Sequence, residues 1–371
     1  EFQKLRREGA LFIETAVSRL NLANTGKHPV TKGPDYFLFK SDTRYAYAVG
    51  RIRSLESRYL TRQDIERLIA TEEPEETYRF LVEKGYTGGE LKIKTWSDLE
   101  SCLRIQRQEV LALISALSKD VAISNLFREK YDFHNLKVLL KARYSGQNLD
   151  HLLIDVGTVP IETLTEAMAD DDYRELPQFI SNTVQVVNTR WEKTNNPQLI
   201  DILTDGEMYK RFSLLIRPFG NPFLNRWLDL GIDLANIKTL VRVKWLDSDK
   251  ALLTQSLIEG GSIKETELFP LRETPWETVA SFFSKTRYAK TVATGTDALL
   301  KSSNFLTLEK MADAVLISYL KRAKVQSLGI EPLVAYLLLK EYEFKAVRTV
   351  VVGKANHLPA ELIREKLPEY P

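Results

Sequence analysis

Three consecutive carboxylates, Asp170-Asp171-Asp172, come nearest in this chain to a catalytic pattern. Clustered carboxylates can hold Mg²⁺ against substrate phosphates, because a hard cation prefers oxygen ligands. The triplet, however, sits beside Tyr173 and Pro177 in what reads as a loop, and no second acidic motif completes a site. A solvated loop or helix end is the simpler reading. A phosphate cradle is also missing. Gly295 and Lys301-Ser302 have its outer spacing, but Leu300 replaces the second glycine, and Gly353-Lys354 lacks the first. His28, His134, His151 and His357 have no metal-ligand spacing with one another or with Cys102. Each reads as a solvated or hydrogen-bonded residue. Cys102 is the only cysteine, so no internal disulfide can form and nothing points to an oxidising compartment. No catalytic, metal or cofactor site is expected.

The polar residues that do recur belong to a repeated phrase. Asp132-Phe133-His134-Asn135-Leu136-Lys137 is followed by Leu139, Leu140 and Arg143. Asp233-Leu234-Ala235-Asn236-Ile237-Lys238 is followed by Leu240, Val241 and Lys244. A worn copy, Glu343-Phe344-Lys345-Ala346-Val347-Arg348, is followed by Val350, Val351 and Lys354. The starts at 132, 233 and 343 lie 101 and 110 residues apart. The tails repeat too, since Leu153–Val159 aligns with Leu257–Ile263. Asp and Asn compete with the helical backbone for hydrogen bonds, so their place inside a helix needs a reason. Three residues apart, they share one face. They either clamp a neighbouring element within each unit or line an inner wall that meets a partner. Asp132, Asn135, Lys137, Asp233, Asn236 and Lys238 are the partner-binding candidates. Arg143, Lys244 and Lys354 form a cationic ring or simply favour helix C-termini through the dipole.

Those residues require helices, and the chain supplies them. With 371 residues it exceeds the span of one ordinary domain. Thr61 with Asp64 predicts a capped start, and Thr71 with Pro74 another, stopping at Gly85. Long helices are predicted over 96–119, 126–144, 199–215, 222–245, 276–300, 306–328 and 332–352. Gly295 is expected to be a weak point and Gly353 a stop. Thr349–Val352 is β-branched, but its alignment with Thr239–Val241 favours helix. The fold class is all-α, built of three similar helical units over 45–145, 146–245 and 246–371. Residues 1–44, amphipathic and then loop-like, read as an appendage without a secretory signal.

Bulk composition narrows the function. The formal net charge is +2, from 52 basic and 50 acidic residues, which argues against a general nucleic-acid binder. No apolar run approaches the ~18 residues of a membrane span, so the chain is expected to be soluble, though able to dock on a membrane complex. One helical unit used about three times suits a ring or scaffold better than a catalyst.

Tyr45-Ala46-Tyr47-Ala48-Val49-Gly50-Arg51-Ile52-Arg53, followed by Leu55-Glu56, resembles the opening of the C subunit of A/V-type ATPases, the counterpart of the eukaryotic d subunit. The two Asp-x-x-Asn-[Leu/Ile]-Lys phrases and their spacing are similar to that family over about residues 45–371. The resemblance implies an all-helical, pseudo-threefold funnel on the cytoplasmic face of the membrane rotor ring. Central axle subunits would enter its wide end, and the proteolipid ring would meet its narrow end. The chain would carry torque between ATP hydrolysis or synthesis and H⁺ or Na⁺ translocation, with no chemistry of its own and no cofactor. A free-standing helical-repeat adaptor, binding peptides along an open superhelix, is the alternative.

Overall fold

The computed structural model describes residues 41–87, 92–194, 197–246, 253–254 and 256–370. The appendage expected over 1–44 therefore lies outside them, apart from 41–44. Among the described residues the regular elements are helical and none is a strand. In chain order they are α1 Ala46–Glu56, α2 Arg62–Ala70, α3 Pro74–Glu83, α4 Trp96–Leu117 and α5 Val121–Ser145. Then come α6 Ile161–Asp170, α7 Gln178–Thr194, α8 Pro197–Phe219, α9 Pro222–Trp245 and α10 Glu265–Leu268. The last are α11 Trp276–Phe283, α12 Ala289–Ser302, α13 Leu306–Leu320, α14 Glu331–Ala355 and α15 Ala360–Lys366.

Local chemistry sets most of these boundaries. The Thr61 hydroxyl accepts from the Asp64 amide at 3.2 Å, while the Asp64 carboxylate accepts from the Thr61 amide at 2.8 Å. Thr95 and Asp98 repeat that reciprocal cap at the start of α4. Proline occupies the first turn of α3, α9 and α14, where its missing N–H would have had no helical partner. Gly146, at φ 68°, ends α5 in the left-handed conformation that glycine adopts without steric cost.

Several predicted boundaries move. The helix expected over 276–300 breaks after Phe283, where the Thr286 hydroxyl donates to the Phe283 carbonyl at 2.7 Å and accepts from the Tyr288 amide at 3.1 Å. Gly295 is not the weak point. It is buried within α12, where α13 comes so near that a Cβ would meet the Leu308 side chain at 2.6 Å. Gly353 does not stop α14 either; a Cβ there would meet Ile363 of α15 at 2.7 Å. The helix from 306 ends at Leu320 and passes into a 3₁₀ turn, Lys321–Val325. Both glycines mark close helix approach rather than helix ends.

The phrase-bearing helices are α5, α9 and α14. Each packs on the long helix that precedes the next phrase: α5 on α8, and α9 on α13. The last, α14, packs on α4, the long helix before the first phrase, and also on α1 and α2. One apolar core runs from Tyr45 to Leu367, and a second cluster joins α5 to α6 and α7 through Leu140, Leu164, Ile180 and Val184. Every residue from Leu333 to Leu339 is buried, so α14 is apolar around its circumference, as an enclosed helix must be. At about 1.5–3 kcal/mol for each buried Leu, Ile or Val, this packing dominates the stabilisation.

Candidate functional site

The Asp and Asn of the first two phrases are fully buried and grip backbone. Asn135 donates from Nδ2 to the Ile154 carbonyl at 2.9 Å and accepts from the Ile154 amide at 2.8 Å. Asn236 does the same to Ile258, at 2.8 Å in each direction. The Asp132 carboxylate accepts from the amides of Thr158 and Val159 at 2.8 and 3.0 Å, and from the Thr158 hydroxyl. Asp233 accepts from the Ile263 amide at 3.1 Å, from the Ser262 hydroxyl, and from Tyr288 at 2.6 Å. Each phrase thus holds the repeated tail that follows it and leads into the next helix. Burial pushes the Asp132 and Asp233 carboxyls above the usual carboxylate range, and these hydrogen bonds oppose the shift. Sequence reasoning missed the glycines that make room. A Cβ at Gly157 would run into Asp132 Oδ1, and one at Gly261 into Asp233 Oδ1. Their equivalence in the aligned tails was the available signal.

The third phrase grips the beginning of the chain. Glu343 is buried and accepts from the Leu60 amide at 2.8 Å and from the Tyr86 hydroxyl at 2.6 Å, with Lys340 beside it. Leu60 precedes α2 as Val159 precedes α6 and Ile263 precedes α10. The basic residues eleven positions on follow the same order. Arg143 donates to Asp171 at 2.9 Å, just past α6. Lys244 donates to the carbonyls of Arg272, at 2.8 Å, and Thr274. Lys354 donates to the Thr71 carbonyl, just past α2. So each phrase helix holds the start and the end of the segment next to it, and for the third that segment is the first.

The remaining candidates divide. Lys137 donates to Asp205 of α8 at 2.6 Å. Lys238 is half-buried, and no carboxylate among the described residues lies within ion-pair distance of it. The Asp170–Asp172 triplet is a helix end: Asp171 pairs with Arg143, and Asp172 pairs with Arg174 at 2.5 Å, which holds its carboxyl down at about 2. His134 Nε2 lies 3.0 Å from the Leu152 carbonyl, and burial lowers its pKa. Among the described residues no three His, Cys, Asp or Glu side chains converge as a metal site. No helix of the described residues is long and apolar enough to cross a membrane.

The N-termini of α9 and α14 meet, and α5 begins against residues 44 and 45. Asp120, before α5, accepts from Tyr45 at 2.6 Å and from Arg44, which also pairs with Asp42 at 2.7 Å. Asn221 caps α9 and donates to Glu331 of α14 at 2.9 Å. Burial raises the Glu331 pKa, Asn221 opposes the shift, and the nearby negative charge of Asp42 adds to it. Around this junction apolar side chains face solvent: Val121 is 62% exposed, Phe219 37%, Val325 75% and Tyr47 79%. Val121 is the first residue of α5, Phe219 the last of α8 and Val325 the last of the 3₁₀ turn before α14. Farther along, a cavity of about 320 Å³ lies between the three phrase helices.

These features define a protein that is helical throughout its described residues and whose recurrent polar residues bind its own backbone. The chain belongs to the family described as ATP synthase (C/AC39) subunit, which matches residues 48–366. It is 29% identical over 276 residues to the C subunit of the V-type sodium ATPase of Enterococcus hirae, covering 73% of this chain and 82% of that one. It is 27% identical to the C subunit of the A-type ATP synthase of Methanosarcina acetivorans, over 88% of this chain and 94% of that one. With its counterpart from the A-type ATP synthase of Methanocaldococcus jannaschii it shares 24% identity, over 87% and 86% of the two chains. The resemblance drawn from Tyr45–Arg53 and the phrases therefore holds.

Proposed function

We propose that this chain is the non-catalytic central-stalk subunit of a rotary A/V-type ATPase. In that role it joins the axle subunits to the membrane rotor ring, so that ATP hydrolysis or synthesis is coupled to H⁺ or Na⁺ translocation. Membership of the family supports the complex. The observation that carries the coupling role is the cyclic order in which α5, α9 and α14 pair with α8, α13 and α4. Such pairing suits three similar units, 45–145, 146–245 and 246–371, around one axis as a pseudo-threefold funnel. Packed helices resist twisting better than loops, as a torque-bearing joint must.

The N-terminal ends of α5, α9 and α14 would form the narrow end, with the exposed Val121, Phe219 and Val325 as an apolar rim for the proteolipid ring. Membrane contact is then indirect, through the ring, on the cytoplasmic face. The axle enters from the opposite end. Asp132, Asn135, Asp233 and Asn236 serve partner binding through the tails they hold, because their own polar atoms are buried. Lys238, with no ion-pair partner among the described residues, is the better direct contact, and Lys137 stands at the equivalent place.

A pull-down from a detergent-solubilised membrane extract of the source organism, with this chain as bait, tests the proposal. Recovery of a proteolipid ring and axle subunits, one bait per complex, is expected. Recovery of neither, with both shown intact in the extract, would overturn it. Reversing the charge of Lys137 and Lys238 together is expected to uncouple ATP hydrolysis from ion pumping, or to release the chain, without unfolding it. Normal coupling in an assembled mutant would remove both lysines from the interface.

A further inference from the structure

The cavity between the phrase helices has walls from α5, α9 and α14 and from α4, α8 and α13. Its lining is largely apolar, with Phe212, Trp227, Leu316 and Leu338. Lys130 and Lys345 are its solvent-exposed members and mark its mouth. Three wall positions are equivalent, each two residues before the acid of a phrase: Lys130, Gly231 and Glu341. A cation, a gap and an anion occupy them. The gap is filled closely by a neighbour, since a Cβ at Gly231 would lie 3.1 Å from the Tyr209 ring.

The other charges of the wall are balanced. Glu341 pairs with Arg107 at 3.3 Å, and Asp313 pairs with Lys345 at 2.9 Å. Among the described residues no carboxylate is within ion-pair distance of Lys130. One uncompensated positive charge therefore sits on one of three equivalent faces.

We propose that this cavity is a keyed socket: it takes an apolar helix tip that carries a carboxylate, and Lys130 selects which of three near-equivalent rotational registers that tip adopts. The inference rests on the rotor-coupling reading and specifies how the axle end is recognised. A frame that repeats three times offers three registers of similar energy. A shaft that slipped among them would lose its phase with the ring. A carboxylate turned from Lys130 to the second face meets the Tyr209 ring, and at the third it meets Glu341, whose charge Arg107 already balances. Neither of those faces offers an uncompensated cation, so the register at Lys130 is the one favoured.

The test uses the full chain and the purified axle subunits of the same complex. Lys130→Glu is expected to weaken binding by about ten-fold or more, and Lys130→Arg to preserve it. Both should unfold at the wild-type temperature, since Lys130 is exposed. A photo-crosslinking residue placed at 130, and separately at 341, should capture two different single positions on the axle. Unchanged affinity in Lys130→Glu, or the same mixture of positions captured from both sites, overturns the key. A wild-type chain that fails to bind the axle at all overturns the coupling reading, and the key falls with it.

Discussion

Asn135 and Asn236 each satisfy both backbone groups of one residue, which only a side chain with a donor and an acceptor can do. Truncating Asn236 removes the side-chain partner of both the Ile258 N–H and C=O, and truncating Asn135 orphans the Ile154 N–H, while the Ile154 carbonyl keeps the Val156 amide at 3.0 Å. Asn135→Ala should therefore destabilise by about 1–3 kcal/mol in urea unfolding, and Asn236→Ala by a similar amount. A loss close to zero would mean that water replaces the amide. Ala346 fills the third equivalent position and is itself fully buried, so the third link is made by Glu343 alone. His134 gives a prediction of a different kind. Burial holds its pKa below 6.5 in the folded chain, so the unfolded chain takes up the proton first as pH falls. The stability contributed by neutral His134 is present above about pH 6.5 and is lost progressively below it, down to the depressed folded value. His134→Gln should flatten the decline in urea midpoint over that window. An unchanged slope would assign the decline to other groups.

Elements are legible in the sequence where a local signal has one meaning. Pro222 and Trp245 bound α9 in both sequence and structure, the Thr61–Asp64 cap is reciprocal, and Gly146 closes α5. Glycine misleads where its meaning is tertiary. Gly295 and Gly353 look like breaks along the chain, but they are contact points for Leu308 and Ile363. Only the neighbouring helix reveals that. The polar face of the phrase is legible as a clamp or a wall, yet its target is hidden, because the tails it holds have no regular structure and lie 19 to 30 residues away. Gly157 and Gly261 carry the element-scale prediction. Gly157→Ala or Gly261→Ala forces a methyl against a carboxylate that cannot leave its backbone donors, which should cost about 1–3 kcal/mol. The counterpart of those glycines before Leu60 is Arg58, and there Glu343 has one more methylene with which to reach. A double change, Gly157→Ala with Asp132→Glu, should accordingly lose less than the two single changes summed. Simple additivity in a double-mutant cycle would mean that the methyl and the carboxylate do not share the space.

At the scale of the molecule, two of the three links are local and one is not. Asp132 and Asp233 hold tails 26 to 30 residues ahead, whereas Glu343 holds Leu60 across 283 residues. Lys354 joins Thr71 over the same separation. A chain whose last unit grips its first can unfold as one body, because opening either end removes a partner from the other. An open superhelix would lack that link and would fray from its ends. Glu343→Ala leaves the Leu60 amide, the Tyr86 hydroxyl and the buried Lys340 ammonium without their acceptor. A loss of about 3–5 kcal/mol is expected, because an unpaired buried charge is the most costly remnant. Its distribution is the sharper readout. Native-state hydrogen exchange should show protection falling together in α2 and α14, at opposite ends of the sequence, while Asp132→Ala exposes mainly the 153–170 segment. Loss confined to α14 would mean that the first and last units are neighbours without being coupled. The joint would then owe its stiffness to helix packing alone.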